Sequence, residues 1–198
     1  MAGVRAEQRE RTRQVLVERS RELFATRGYA DVGLAEIVTT AGVTKGALYH
    51  HFPDGKTSLF AAVLGRVQDE VGDAVAAAAG AEPDDWSALL AGCRAFLVSS
   101  TAAGVSRIML VDGPAVLGWA RWRELDDAAS GRHLLEALEG LVRDGVITAR
   151  PEPLARLLSG AMNEAALWLA DRDGDGADPD LLDQTWTELA TLLTGLRR

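Results

Sequence analysis

Cysteine is nearly absent from this sequence, which has a single cysteine, at position 93. One cysteine excludes an intramolecular disulfide, and the apolar residues around Cys93 favour a small buried side chain over a redox sensor. Long apolar runs are also absent, because even the alanine-rich stretch 74–81 is too short to span a membrane. The charged N-terminal residues contain no apolar signal core. The sequence therefore predicts a protein of the reducing cytoplasm without a membrane association.

Sequence signals for catalysis and for metal binding are lacking as well. We find no convincing strand, no glycine-rich phosphate loop and no nucleophile–base signature, so an enzyme is the weaker class. Adjacent His50 and His51 cannot both reach one metal ion from a helix. The run from Asp171 to Gly176 begins like a calcium loop, but Leu182 stands where the bidentate glutamate is required, which favours a solvated loop. We expect no metal and no cofactor.

Charge is distributed unevenly along the chain, whose net charge is −8. Residues 1–56 hold nine Lys/Arg against seven Asp/Glu, a net charge of +2, whereas the remaining residues hold 12 against 22, a net charge of −10. Such asymmetry would orient the molecule on a DNA duplex, since the acidic part repels phosphates and the N-terminal part does not. The small positive charge predicts modest non-specific affinity.

A helix-turn-helix pattern is present between residues 34 and 56. A first helix is predicted over about 34–41 and ends at Gly42, which suits a left-handed C-cap. Thr44 suits the N-cap of a second helix over about 45–51. That second helix starts with small residues and continues with long or aromatic polar ones, as a recognition helix in a major groove requires. From the pattern alone, a helical hairpin with a solvated face remains the alternative.

The remaining apolar periodicities predict further helices and no strands. A first helix is expected over about 9–27, after a flexible arm at 1–8. A fourth helix over about 56–79 leaves the N-terminal part and enters the C-terminal part. Beyond it, helices are expected at about 85–100, 106–111, 115–119, 122–144, 153–171 and 180–196.

The N-terminal motifs resemble the DNA-binding domain of the TetR family of bacterial transcriptional regulators. The match covers about residues 9–67, and it includes Phe24-Ala-Thr-Arg-Gly-Tyr29, Leu34-Ala-Glu-Ile-Val, Ala41-Gly-Val, Leu48-Tyr-His-His-Phe52 and Lys56 with Leu59-Phe60. The commonest family pattern has one residue fewer between the aromatic and the lysine, where this chain has Pro53-Asp54-Gly55. The resemblance implies an all-helical homodimer, usually a repressor, that a small ligand releases from operator DNA.

The fold class expected is therefore all-α, with an N-terminal three-helix helix-turn-helix DNA-binding domain at 1–56, whose linking helix continues to about 79. A larger C-terminal helical domain at 57–198 is expected to bind the ligand and to dimerise. Lys45 is the candidate for a guanine contact, Gly46 allows close approach, and the Ala47 methyl can meet a thymine methyl. The other predicted DNA-binding residues are Thr44, Tyr49, His50, His51 and Lys56, of which Tyr49, His51 and Lys56 are implied by the resemblance to hold phosphates.

Arg11 and Arg13 lie in the first turns of the first helix, where either phosphate contacts or ion pairs within a charged face are possible. Aromatic residues, 6% of the chain, concentrate in the middle helices, where they form either an apolar ligand cavity or a solid core. The candidate pocket residues are Phe96, Met109, Trp119, Trp122 and Asn163.

The last two helices are more apolar than one protomer needs, and the final one has a seam near the 3.5-residue repeat. They predict a homodimer interface, with packing inside one protomer as the alternative. The candidate interface residues are Leu158, Met162, Trp186, Leu189 and Leu193.

The sequence thus predicts a TetR-type regulator, a ligand-released repressor that acts as a homodimer on a pseudo-palindromic double-stranded DNA operator, with an unidentified small-molecule effector. The alternative is a helical small-molecule-binding or interaction protein with a non-functional DNA-binding head. Steep loss of operator binding with rising salt distinguishes the first from the second.

Overall fold

The computed structural model describes residues 2–173 and 177–197, without the side chains of residues 2–5 and 171–173. We call α1 to α3 with the first turns of α4 the head, and the remainder the body. The head contains α1 (Ala2–Arg27), α2 (Leu34–Thr40), α3 (Lys45–His51) and the start of α4 (Lys56–Gly80). The body contains α5 (Asp85–Ser100), α6 (Gly113–Leu117), α7 (Trp119–Asp126), α8 (Arg132–Arg143), α9 (Pro151–Asp173) and α10 (Pro179–Thr194). Two π-helical segments, π1 (Arg107–Asp112) and π2 (Asp127–Gly131), complete the body.

The fold is all-α, as the sequence predicts. Among the described residues, Ile147 and Arg197 form an isolated antiparallel β-bridge. No helix in this described part is long and apolar enough to cross a lipid bilayer. The bounds of α3 and α5 agree with the prediction. The flexible arm does not, because α1 already begins at Ala2.

The core of the head is formed by apolar side chains that α1, α2, α3 and α4 contribute together. Phe24, Tyr29 and Phe60 form an aromatic cluster with ring centroids 5.1 to 5.7 Å apart. Leu48 points inward from α3 and is fully buried, as is Ile37 from α2. Helices as short as α2 and α3 are not stable alone and depend on packing their apolar face into the core. This packing also fixes the opposite, polar face of each helix toward solvent.

The turn between α2 and α3 has the hydrogen bonds of a Schellman C-cap. Gly42 has a φ of +65°, its N–H donates to Thr39 O over 3.1 Å, and the Val43 N–H donates to Val38 O over 3.1 Å. The Thr44 hydroxyl then accepts from the Ala47 N–H over 3.1 Å and caps α3. The turn chemistry seen in the sequence therefore sets the angle at which α3 leaves α2.

The helix α4 runs without interruption for 25 residues from the head into the body. Its buried side packs against α1 near Arg21, whose guanidinium donates to Glu70 over 2.7 Å, and against α5 further along. Gly92 of α5 allows this close packing, because a Cβ there would lie 3.4 Å from Val75 Cγ1.

The long helix predicted over 122–144 is instead three segments, α7, π2 and α8. Ala129 breaks it, with φ −95° and ψ −112°. The break lies against α4, where a Cβ on Gly72 would be only 3.7 Å from Ser130 N. Just before the break, Asp126 is buried beside Arg123, whose Nη1 lies 3.0 Å from its carboxylate, and burial raises the pKa of this carboxyl group. A sequence periodicity cannot reveal this break, since it is stabilised by contacts with other helices.

Candidate nucleic-acid interface and ligand cavity

The outer face of α3 combines exposed polar groups with small side chains. Lys45, Gly46, Tyr49 and His50 are exposed, while Ala47 is half-buried. The Lys45 ammonium lies 5.9 Å from the Tyr49 ring centroid, so the two side chains lie next to each other on the surface. Such a surface has both the reach and the close backbone approach that groove binding requires.

The N-terminal half of α1 brings further positive charge to this face. Arg9 and Arg13 are close enough to His51 to lower its pKa, although burial has the largest effect and His50 follows it. The pKa of His51 is therefore below its ordinary 6.5, so its imidazole is neutral at neutral pH. Arg13 also lies 5.8 Å from the Phe52 ring centroid. The sequence left two alternatives for Arg13, a phosphate contact or an ion pair within a charged face. The structure favours the first, because the Arg13 guanidinium forms no ion pair with a described carboxylate.

Two groups of arginines on α1 differ in their partners. Among the carboxylates whose side chains the structure describes, none forms an ion pair with Arg9, Arg11, Arg13 or Lys45. The three later arginines of α1 are paired, namely Arg19 with Glu22, Arg21 with Glu70 and Arg27 with Glu36. Unpaired cations therefore concentrate at the end of α1 that lies beside α3.

Lys56 has a different environment from the one expected for a phosphate ligand. Its ammonium donates to Tyr29 O over 2.7 Å and to Val32 O over 2.9 Å, and it lies 3.9 Å from the Tyr29 ring centroid. Burial lowers its pKa, with Asp112 and Asp31 opposing that change. Two of its three protons are thus already bound within the head, where they join the start of α4 to the segment after α1.

The body contacts the head at the C-terminal end of α1 through π1. Arg107 Nη1 donates to Thr26 O over 3.0 Å, and the Tyr29 N–H donates to Asp112 Oδ2 over 2.7 Å. Gly104, just before π1, packs so closely on Ala25 that a Cβ there would lie 2.4 Å from the Ala25 Cβ. We call these contacts the head–body junction.

A cavity of about 310 Å³ lies in the body between α4, α5, π2, α8 and α9. Of the candidate pocket residues, Phe96 lines it, while Met109, Trp119, Trp122 and Asn163 do not. Trp122 belongs to the solid core, where its Nε1 donates to Met109 O over 2.7 Å, and Trp119 is 67% exposed. Asn163 is buried near Asp126 and outside the cavity lining. The aromatic content of the sequence cannot distinguish cavity lining, solid core and exposed surface, because the tertiary packing determines which of these each ring occupies.

The cavity wall is mostly apolar, with its polar groups supplied by residues that the sequence did not single out for this purpose. The polar groups come from Ser130, His133, Glu136 and Ser159. Cys93 also lines the cavity, and burial raises the pKa of its thiol to about 12, so it is neither a thiolate nor a reactive nucleophile.

The candidate dimer residues lie largely inside the protomer. Leu158, Met162, Leu189 and Leu193 are buried and Trp186 is half-buried, because α9 packs against α5 and α8, and α10 packs against α5 and α9, within the same chain. The exposed large apolar residues of α9 and α10 are Leu157, Trp168 and Leu192. The helical period was correctly identified in the sequence, but a period does not tell which of two apolar faces is internal.

No cluster of three or more His, Cys, Asp or Glu side chains suited to a metal ion occurs in the described part of the chain. The run from Asp171 to Gly176, for which the sequence favours a solvated loop over a calcium site, falls outside the described side chains.

A head with this turn and this exposed second helix is the helix-turn-helix unit of DNA-binding regulators. Residues 16–63 match the family model described as "Bacterial regulatory proteins, tetR family", and residues 86–196 match "Tetracyclin repressor-like, C-terminal domain". The chain therefore belongs to the TetR family of transcriptional regulators. Membership confirms the predicted family and the expectation that the chain is not an enzyme.

Individual relatives agree with this assignment. The HTH-type transcriptional regulator SrpR of Pseudomonas putida is 42% identical over 64 residues, which is 32% of this chain and 30% of SrpR. A crystal structure of a TetR-family regulator from Pectobacterium atrosepticum is 35% identical, with a TM-score of 0.77 and 96% of both chains covered. RolR in complex with resorcinol is 22% identical, with a TM-score of 0.71, covering 96% of this chain and 90% of RolR, and shares the fold.

Proposed function

We propose that this chain is a homodimeric repressor that binds a pseudo-palindromic operator through α3 and leaves it when a small molecule occupies the body cavity. The proposal rests on one observation. Exposed cations without an ion-pair partner lie on α1 and at the start of α3, and the first turn of α3 has the small side chains of Gly46 and Ala47. An exposed positive charge without a protein partner is free to replace a counterion on DNA. The family's role as regulators and the expected cytoplasmic location agree with it.

For the DNA contact, we propose that Lys45 reaches a guanine edge, with Gly46 and Ala47 next to the base pairs. Thr44, Tyr49, His50 and His51 flank them and lie within reach of phosphates, together with Arg9, Arg11 and Arg13 of α1. Because two protons of Lys56 are bound by head carbonyls, its proposed role is chiefly to fix α4 to the head, with its third proton left for a phosphate.

For the dimer, we propose an interface formed by the exposed faces of α9 and α10. Leu157 and Leu192 are 72% and 69% exposed, and Trp168 lies on the same side of α9 as Leu157. Between these two, the same face has the small residues Gly160 and Ala161, followed by the exposed Glu164, so two copies can approach closely in the part next to Leu157. Two-fold symmetry would place the two α3 helices about 34–36 Å apart, one turn of DNA, or a multiple of that.

For release, we propose that α4 and the head–body junction couple the two sites. Val75, Ala76 and Ala79 at the far end of α4 line the cavity, while the first turn of α4 is fixed to the head through Lys56. The second connection passes through Arg107 and Asp112. A ligand that shifts α4 against π1 therefore changes the orientation of the head, provided that ligand and DNA favour different arrangements.

The test is selection of bound sequences from a random DNA pool with purified protein at two salt concentrations. The expected result is an inverted repeat whose binding weakens steeply as salt rises. Enrichment of no sequence at either concentration would contradict the proposal and would favour the alternative of a non-functional head.

A further inference from the structure

The cavity wall has an uneven charge. No lysine or arginine is among the residues that line it, whereas Glu136 contributes a carboxylate near its mouth, 63% exposed. His133 lies beside it, with Nδ1 4.0 Å from a Glu136 oxygen. An anion entering this cavity would find no lysine or arginine and would face one negative charge, so the hydration of its carboxylate or phosphate would be replaced only by the hydroxyl groups of Ser130 and Ser159 and by the His133 imidazole.

Arginines that lie close by do not line the cavity. Arg123, Arg132 and Arg156 line a neighbouring cleft that shares Gly131 and Ser159 with it. Arg123 and Arg156 are ion-paired to Asp127, over 3.3 Å and 2.8 Å, and Arg123 also pairs with Asp126 and donates to Ser159 Oγ over 3.1 Å. Arg132 is exposed and lines the cleft, so none of the three arginines belongs to the cavity wall that Glu136 forms.

The inner wall suits an aromatic or apolar group, whereas the carboxylate that favours a positive charge lies at the mouth. Phe96 and Met162 line this wall, and both side chains pack favourably against aromatic rings. An apolar cavity of roughly 150 Å³ holds one benzene ring, so 310 Å³ corresponds to a group of about two rings.

We infer that the effector of this cavity is a lipophilic cation with about two fused or linked rings, whose charged nitrogen lies at the mouth beside Glu136 and His133. This inference rests on the proposed function only in taking the cavity as the effector site. It assigns the chemical class of the ligand from the wall of the cavity, and it excludes fatty acids and other anionic amphiphiles of the same size.

The experiment uses three naphthalene probes and the full chain. Binding of (2-naphthylmethyl)trimethylammonium, 2-naphthylmethanol and 2-naphthylacetate is measured by calorimetry without DNA. The cation should bind about tenfold more tightly than the anion, with the neutral alcohol between them. In Glu136→Gln this preference should fall to about twofold or less, because the carboxylate is removed and the shape is kept.

The matched control is Glu139→Gln, which removes the same charge from the same helix at an exposed position that does not line the cavity. It should keep the preference. Circular dichroism verifies that both variants are folded.

Equal loss of preference in both variants would show that only the general acidity of the body matters and would overturn the assignment. Tighter binding of the anion, or no binding of any probe, would overturn it as well. Sequence selection on the same preparation tests the DNA function separately, so cation binding without operator binding would refute the proposed function alone.

Discussion

At the scale of single residues, Lys45 allows a direct prediction, because its ammonium group on α3 is exposed and forms no ion pair with a described carboxylate. Lys45→Ala should weaken operator binding by about 1–3 kcal/mol and relax the preference at one base pair of each half-site. Fluorescence anisotropy on the selected operator and its single-base variants measures both effects. The control is Arg19→Ala, since Arg19 is paired with Glu22 on α1. Unchanged affinity and preference in Lys45→Ala would mean that another residue reads the bases.

His51 carries a prediction about pH. In the free protein its pKa lies below 6.5, so near and below that pH the folded state binds fewer protons than the unfolded chain. This group therefore contributes a stability that is complete above pH 6.5 and is lost as the pH falls through the lowered pKa. His51→Asn should show a smaller drop in Tm between about pH 7.5 and about pH 5.5 than the parent protein.

A phosphate beside His51 would have the opposite effect on binding. It would raise the pKa of the imidazole, so operator affinity of the parent should increase as the pH falls from about 7.5 to about 6, more than that of His51→Asn. Titrations at several pH values test this, with His133→Asn as a control in the body. An identical pH profile in parent and His51→Asn would remove His51 from the phosphate contacts.

At the scale of elements, the head–body junction depends on a glycine that no larger residue can replace. Gly104 has a φ of +74°, and a Cβ there would lie 2.4 Å from Ala25 Cβ and 2.9 Å from its Cα. Gly104→Ala should therefore lower Tm markedly, since backbone strain of roughly 1 kcal/mol is added to a clash that the neighbouring backbone has to relieve.

The control for this variant is Gly145→Ala. Gly145 follows α8 with a similar φ of +72°, but nothing lies within 4 Å of a Cβ there. Differential scanning calorimetry should show a clearly larger loss for Gly104→Ala than for Gly145→Ala. Equal losses would mean that the contact with Ala25 adds nothing to the strain.

Elements whose ends are set by local chemistry could be predicted from the sequence. The helix α3 begins at Lys45 because Thr44 caps it, and α5 begins at Asp85 because the Asp84 side chain accepts from the Ser87 N–H. Gly131 marks the helix predicted over 122–144 as weak and as a place for a kink, and the structure has its break two residues earlier, at Ala129. The exact position could not be predicted, since it depends on the packing of π2 against α4. The partners of Lys56 were equally inaccessible, because Tyr29 and Val32 approach it only after the head has folded.

At the scale of the whole molecule, the exposed stripe on α9 and α10 predicts the oligomeric state. Leu157→Glu should give a monomer in sedimentation experiments and weaken operator binding, because a buried unpaired carboxylate at the symmetry axis destabilises both copies of the contact. Val98→Glu on α5 is the control, since Val98 is also an exposed apolar residue, at 49%, outside α9 and α10. A dimer that persists in Leu157→Glu would place the interface elsewhere.

The uninterrupted course of α4 also bears on how such a regulator can be taken apart or recombined. No flexible linker separates the head from the body, since α4 continues from Lys56 to Gly80 and is joined to α1 through Glu70. A protease therefore has no exposed tether to cut between them. A hybrid that joins this head to the body of a relative would have to be spliced within a helix, in the same rotational phase. An insertion of one residue there would turn the cavity of the body by about 100° relative to the outer face of α3.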